Sequence, residues 1–226
     1  MKASCIILLS GGLDSTVSAA VATRKTKPLF ALTFDYNQRA AKMEILAAKR
    51  ICRDLKLKHK ILKLPFFADF QDNIMLKKAK ISAVRDYVKL KHVWVPNRNG
   101  LFVNIAACYA EYYGAGVIVT GFNAEEAAEF PDNTPEFIRL INRTLQYSTL
   151  NKVRVISYVA NHTKKEIYKI GIFYKAPLKH IYSCYLGGKK MCGICASCKK
   201  LYKAIRDNAK DRRVNSSTTC PGPDFL

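Results

Sequence analysis

Residues 6–20 read IILLSGGLDSTVSAA. An apolar run suited to a buried strand stops on Ser10-Gly11-Gly12, and a helix-compatible run of small residues follows at once. No other stretch constrains the chain as strongly. A strand that turns into a helix through two glycines begins an α/β layer and aims a helix N-terminus past the strand's end. Gly11 and Gly12 permit positive φ and the close approach of an anion. Ser10, Ser15 and Thr16 add hydroxyl donors to the free N–H groups and the positive dipole of the helix. The stretch is no Walker loop, because no lysine follows, and it lacks the G-x-G-x-x-G of dinucleotide binders. Its residues alone leave two readings open: a phosphate loop, or a tight turn with Asp14 or Ser15 as N-cap.

The pattern continues as alternating strand and helix. Residues 4–9, 28–36 and 59–64 read as strands, and 14–25 and 38–57 as helices, the second with Ala41, Ile45, Ala48, Cys52 and Leu55 on one face. Further helices are expected at 99–113 and 134–147, and strands at 116–121 and 152–159. Residues 163–175 form another helix, opened by a Thr163/Glu166 capping box. Residues 65–95 show no clean period and are read as an insertion or lid. A basic helix is expected at 198–208, followed by a polar tail. This is a doubly wound, mainly parallel α/β sheet. We divide it into 1–175, a cysteine-bearing segment 176–210 and a tail 211–226.

The chain has 226 residues and a formal net charge of +21. The lysines are scattered rather than gathered into an arm, a distribution that serves solubility and weak polyanion contact. Nucleic acid is therefore a partner of second rank. No apolar run reaches the roughly 20 residues that span a bilayer, and no signal-peptide pattern opens the chain, so the expected location is the cytoplasm.

Of eight cysteines, Cys5, Cys52 and Cys108 sit in apolar or helical stretches and are expected to be buried. Cys184, Cys192, Cys195 and Cys198 form C-x7-C-x2-C-x2-C. In a reducing compartment this is a metal signal, and four thiolates suit a closed structural Zn²⁺ site. A ferredoxin-type run would place its next cysteine at position 202, which is Tyr; Cys220 lies well beyond. The histidines at 59, 92, 162 and 180 lack ligand spacing and are read as surface or capping residues.

S-G-G-x-D-S after a first strand resembles the PP-loop of the ATP pyrophosphatase superfamily, whose fold is adenine nucleotide alpha hydrolase-like. With the four-cysteine segment, LTFDYNQR, VPNRNGLFVNIAACYAE and VTGFNAEEAAEFPDNTPEFI, the chain resembles the 7-cyano-7-deazaguanine (preQ0) synthase family almost end to end. It departs from commoner members around Phe130-Pro131-Asp132 and at Asn37, where Gly is usual. The resemblance implies that 7-carboxy-7-deazaguanine, ammonia and ATP give the nitrile through adenylated intermediates, as a step of queuosine biosynthesis. It implies an ATP and pyrophosphate segment made of Leu9, Ser10, Gly11, Gly12, Leu13, Asp14, Ser15, Thr16, Val17, Ser18 and Ala19. Asp14 and Arg98 are the candidate catalytic residues, with Asp14 ordering the loop or a Mg²⁺ ion. Asp35, Gln38, Arg39, Asn99, Glu125 and Asp132 are candidate substrate contacts, with Glu126 beside them. Arg98 and Asn99 are placed at a helix start, where Asn99 could equally be a cap. The resemblance also implies a homodimer. The alternative that remains is a PP-loop enzyme that adenylates a tRNA base or another macromolecule.

Overall fold

The computed structural model describes residues 2–70, 73, 75–76 and 93–214. Most of the expected insertion at 65–95, with His92, lies outside the described residues, as does the chain from 215 onward, with Cys220. Among the described residues the order of elements is β1 (Ser4–Leu8), α1 (Leu13–Lys25), β2 (Lys27–Asp35), α2 (Ala41–Asp54), β3 (His59–Lys63), α3 (Arg98–Tyr112), β4 (Val117–Thr120), α4 (Ala124–Ala127), α5 (Pro135–Ser148), β5 (Arg154–Ser157), α6 (Lys164–Phe173) and α7 (Ala196–Val214).

The five strands run parallel in the order β3-β2-β1-β4-β5. The period-2 alternation of β1 and β4 sorts their side chains onto two faces. Ile6 and Ile118 face a core with Phe34, Val103, Ala106 and Leu145. Cys5, Ile7, Val117 and Val119 face a second core with Ala19, Ala22, Ala48 and Ile51. Helices α3 and α5 thus cover one face, and α1 and α2 the other. A third cluster joins Leu13, Val17 and Val21 of α1 to Ile167 and Ile170 of α6 and Leu201 of α7.

The order reverses between β1 and β4, and the carboxyl ends at such a switch point are where open α/β sheets bind ligands. Two contacts set α1 there. Ser18 Oγ donates to the Thr120 carbonyl at 2.6 Å. Gly121, just past β4, lies so close that a Cβ on it would sit 2.6 Å from the Ser15 nitrogen.

The structure corrects several expectations. Gln38 and Arg39 do not open α2. Asn37 takes φ 66°, the left-handed region, and the chain turns once more before Ala41. Asn99 does not cap α3, because Asn97 is the N-cap and Asn99 is already inside the helix. Cys108 is exposed, whereas Cys5 and Cys52 are buried. The basic helix is longer than expected and runs to Val214. The capping box at Thr163 is present as expected, with both hydrogen bonds formed.

Candidate active site

The loop after β1 is shaped by hydrogen bonds within itself. Gly11 adopts φ +85°, and a Cβ there would meet the Glu44 carbonyl at 2.7 Å, so only glycine fits. Ser10 Oγ and Ser15 Oγ are 2.9 Å apart, and the Gly12 N–H donates to Ser10 Oγ at 3.3 Å. Thr16 Oγ1 donates back to the Gly12 carbonyl at 2.6 Å. Gly12 is the N-cap of α1, and no side chain caps it. Neither Asp14 nor Ser15 is therefore the N-cap that a plain turn would use. The first-turn N–H groups are left to open onto a cleft lined by Leu9, Ser10, Gly12, Leu13, Asp14 and Ser15.

Four further walls complete this cleft. From the β2 side come Tyr36, Gln38 and Glu44; from α3, Arg98 and Asn99; from the segments after β4, Asn123, Glu126, Phe130 and Asp132; from the cysteine segment, Ser183 and Tyr185. Val17, Ser18 and Ala19 are fully buried in helix packing, and Thr16 is turned onto the loop's own backbone. Asp35 ends β2, with its carboxylate accepting the Asn37 N–H at 3.2 Å. Asp35, Arg39 and Glu125 are absent from the cleft lining.

The Gln38 amide is wholly engaged: it accepts from the Tyr36 N–H at 2.9 Å and donates to Glu44 at 2.8 Å. Its work is to hold Glu44, whose carboxyl burial pushes above the ordinary range while Gln38 and Arg98 pull it back. Arg98 donates to Tyr36 Oη at 3.2 Å. Burial works against its charge, and Tyr36 and Asp132 more than compensate. Asp132 is raised, by burial above all and against the pull of Arg98. The Asn99 amide donates to the Asp132 carbonyl at 3.3 Å, and Asn133 donates to the Asp132 carboxylate at 3.0 Å. Arg98 and Asn99 of α3 thus meet Asp132, from well along the chain, side by side in the cleft.

Lys164 was not legible as a site residue. Its ammonium lies 2.5 Å from Asp14 Oδ2 and 3.2 Å from Glu126 Oε1. Burial would lower its pKa, but the two carboxylates outweigh it and raise it. Asp14 is pushed up by burial even with Lys164 against it. Glu126 is held low by Lys164 and Lys200 despite desolvation. The only sequence signal near Lys164 is the capping box, which marks a helix start but not where it points. Tyr185 and Ser183 were equally silent.

The four cysteine sulfurs lie within 4.8 Å of one another, with Cys192 and Cys198 Sγ 3.9 Å apart. A tetrahedron with about 2.3 Å metal–sulfur bonds has edges of about 3.8 Å, so the donor set fits a four-coordinate thiophilic ion. N–H groups of Cys192 and Cys195 donate to Cys184 Sγ at 3.4 Å and Cys192 Sγ at 3.3 Å. His180 is not part of this group; it pairs with Asp54 at 3.0 Å. The segment that carries the cysteines lines the cleft through Tyr182, Ser183 and Tyr185, and its Tyr182 N–H donates to the Gly11 carbonyl at 2.9 Å. Cys184, Cys195 and Cys198 pack in the same core as Ile7 and Leu9.

Comparison with known proteins fits this arrangement. The family profile described as "Queuosine biosynthesis protein QueC" matches residues 4–209. The chain belongs to the QueC family. A relative named 7-cyano-7-deazaguanine synthase, from Carboxydothermus hydrogenoformans, is 46% identical over 211 residues, covering 90% of this chain and 98% of the relative. One of the same name from Methanococcus aeolicus is 41% identical over 225 residues, covering 92% and 95%. Among solved structures, the U34-tRNA thiolase NcsA of Methanococcus maripaludis, with its 4Fe–4S cluster, aligns with a TM-score of 0.50 at 14% identity. That alignment covers 96% of this chain and 68% of the thiolase. It shows that this QueC chain has the PP-loop fold.

Proposed function

We propose that this chain is a 7-cyano-7-deazaguanine synthase, an ATP-dependent C–N ligase of queuosine biosynthesis. It converts 7-carboxy-7-deazaguanine and ammonia to the nitrile. The observation that carries the reading is the uncapped α1 N-terminus at the sheet's switch point, in a chain with end-to-end relatives of that name.

A carboxylate cannot expel oxide, so its oxygens must leave on something better. Adenylation puts AMP on one oxygen and releases pyrophosphate. Ammonia then attacks the acyl carbon, AMP departs with that oxygen, and a proton is lost to leave the amide. A second adenylation, on the amide oxygen, lets AMP leave again as the nitrogen loses its protons and the C≡N bond forms. The protein needs no covalent nucleophile; its task is positioning and charge stabilisation. The N–H groups and hydroxyls of Ser10 to Ser15 hold the departing pyrophosphate. Asp14 presents a carboxylate with Oδ1 buried and unpartnered, which suits a Mg²⁺ ion brought in with ATP. Arg98 faces the reacting carboxylate, and Asp132 accepts from the guanine-like edge, with Asn99 holding its backbone.

Zn²⁺ is the ion that best suits four thiolates in a closed set, and its contribution is structural. A reaction that consumes ATP and ammonia supports a cytoplasmic location. A homodimer is supported by the exposed Tyr112, Tyr147 and Leu150, on helix ends joined by the Leu150 N–H to Glu111 bond. Incubation with the carboxylate, ammonium and Mg-ATP, read by mass spectrometry, tests the reading. A nitrile with AMP and pyrophosphate is expected; ATP left intact would refute it.

A further inference from the structure

Among the described residues, four carboxylates line the cleft: Asp14, Glu44, Glu126 and Asp132. Asp14 and Glu126 are closed on Lys164. Asp132 accepts from Asn133 and faces the guanine-like edge. Glu44 has no part in phosphate or ring binding, although a buried amide is devoted to holding it. We propose that Glu44 is the ammonium subsite and the base of the amination step. Its unpartnered oxygen binds the incoming ammonium ion and takes one of its protons, and the ammonia so formed attacks the adenylated carboxyl carbon. The inference rests on the reading of the cleft as a ligase site.

Three observations carry it. First, the carboxylate is aimed. The Gln38 amide, 1% exposed, accepts the Tyr36 N–H, and its nitrogen donates to the Phe34 carbonyl at 3.2 Å and to Glu44 Oε2 at 2.8 Å. The Glu44 N–H donates to the Ala40 carbonyl at 2.9 Å. Both ends of the side chain are thus held, and Oε1 has no hydrogen-bond partner among the described residues. Second, no cation closes on it: among the described residues none ion-pairs with Glu44. The charges that act on it are Arg98 of α3 and Asp35 of β2, and the Tyr36 and Tyr182 phenols stand beside it. Arg98 is itself turned to Tyr36 Oη. Burial raises the proton affinity of Glu44 more than Gln38 and Arg98 lower it. A carboxylate without a counter-ion in a desolvated cleft attracts a small cation and accepts its proton near neutral pH. Third, it stands where the amine must arrive. The Glu44 carbonyl packs on Gly11 of the loop, and Arg98, which faces the reacting carboxylate, acts on Glu44 and Asp132 alike.

One N–H proton passes from ammonium to Glu44, giving ammonia and a carboxylic acid. The nitrogen lone pair forms the C–N bond, and the C–O bond to AMP breaks with its electron pair leaving on AMP. A second N–H proton goes to solvent to leave the amide, and Glu44 then returns its own proton to solvent.

Glu44→Gln keeps the bond to Gln38, because the new amide oxygen accepts where Oε2 did, and removes the charge and the base. The variant should retain metal content and circular dichroism. Carboxylate-dependent exchange of pyrophosphate into ATP, which reports adenylation alone, should stay within about threefold of wild type. The kcat/KM for ammonium should fall about 100-fold or more, as the loss of a general base requires. Hydroxylamine is mostly neutral at neutral pH and needs no base to attack, so hydroxamate formation by the variant should match wild type. The pH profile separates a base from a structural carboxylate. In the wild type, kcat/KM for total ammonium should level off once Glu44 is ionised; in the variant it should climb about tenfold per pH unit with free ammonia. A variant with wild-type kcat/KM for ammonium, or one that loses exchange and hydroxamate along with nitrile, would overturn the proposal. So would a wild-type profile that tracks free ammonia throughout, a result that needs no variant. A wild type that makes no nitrile refutes the ligase reading and this inference with it. A wild type that makes nitrile but gives any of those contrary results refutes this inference alone.

Discussion

Gly121→Ala tests whether the β4–α1 contact sets the phosphate loop. The new methyl would lie 2.6 Å from the Ser15 nitrogen, 2.8 Å from its Cα and 3.0 Å from the Asp14 carbonyl carbon. All three are backbone atoms of the first turn of α1, so no side-chain rotation relieves the clash. Reaching the 3.4 Å of ordinary contact needs a displacement of about 0.8 Å at the nitrogen. Overpacking of this kind costs about 1–3 kcal/mol of stability, which in a chain of this size lowers Tm by about 2–4 °C per kcal/mol. The kinetic cost is larger, because a misplacement of about 1 Å in a positioned group can cost about 100-fold. The expected result is a folded protein with kcat/KM for ATP down by roughly two orders of magnitude. Gly116→Ala is the control, since no atom lies within 4 Å of a Cβ placed there. Its kcat/KM should stay within about threefold of wild type. A Gly121→Ala enzyme with wild-type kcat/KM, or a Gly116→Ala enzyme equally impaired, would refute the reasoning.

Other predictions follow from the same geometry. Asp14→Asn should abolish nitrile formation while metal content, by plasma emission, stays at the wild-type level; turnover within tenfold of wild type would contradict the role given to Asp14. Removal of the metal by chelation, or Cys195→Ser, should free Leu201 from its core and release the Tyr182–Gly11 bond. Tm and pyrophosphate affinity should then fall together, and a stripped protein that keeps both would separate the metal from the cleft. Burial pushes the Cys52 thiol up to about 12. At pH 8 only about one in ten thousand such thiols is thiolate, and thiolate is the reactive form. Alkylation of native protein with peptide mapping should therefore mark the exposed Cys108 and spare Cys52, until pH rises toward 12 or the chain unfolds; early labelling of Cys52 would contradict its burial.

The parallel α/β order was legible because each strand and helix carries its own period, and Gly11-Gly12 marked the turn in which Gly11 takes positive φ. The four cysteines were legible because metal ligation fixes spacing. Boundaries failed where tertiary contacts override pattern: Asn37 turns the chain before α2, and Asn97 takes the cap position from Asn99. Cys108 looked buried because its helix is apolar almost all round, which hides the face left to solvent. The wall of Arg98, Asn99 and Asp132 was readable only through resemblance. Lys164, Tyr185 and Ser183 were not readable at all. Their roles depend on α6 and the cysteine segment crossing back over α1, and that juxtaposition exists only in the folded chain.

The central claim is that the loop holds the pyrophosphate leaving from ATP while the substrate's own oxygens depart on AMP. The substrate carrying ¹⁸O in both carboxylate positions tests this directly. The account predicts AMP with ¹⁸O in its phosphate, one labelled AMP for each oxygen lost, together with unlabelled pyrophosphate and a nitrile product free of ¹⁸O. ADP with ¹⁸O in inorganic phosphate, or nitrile formed with unlabelled AMP, would contradict it.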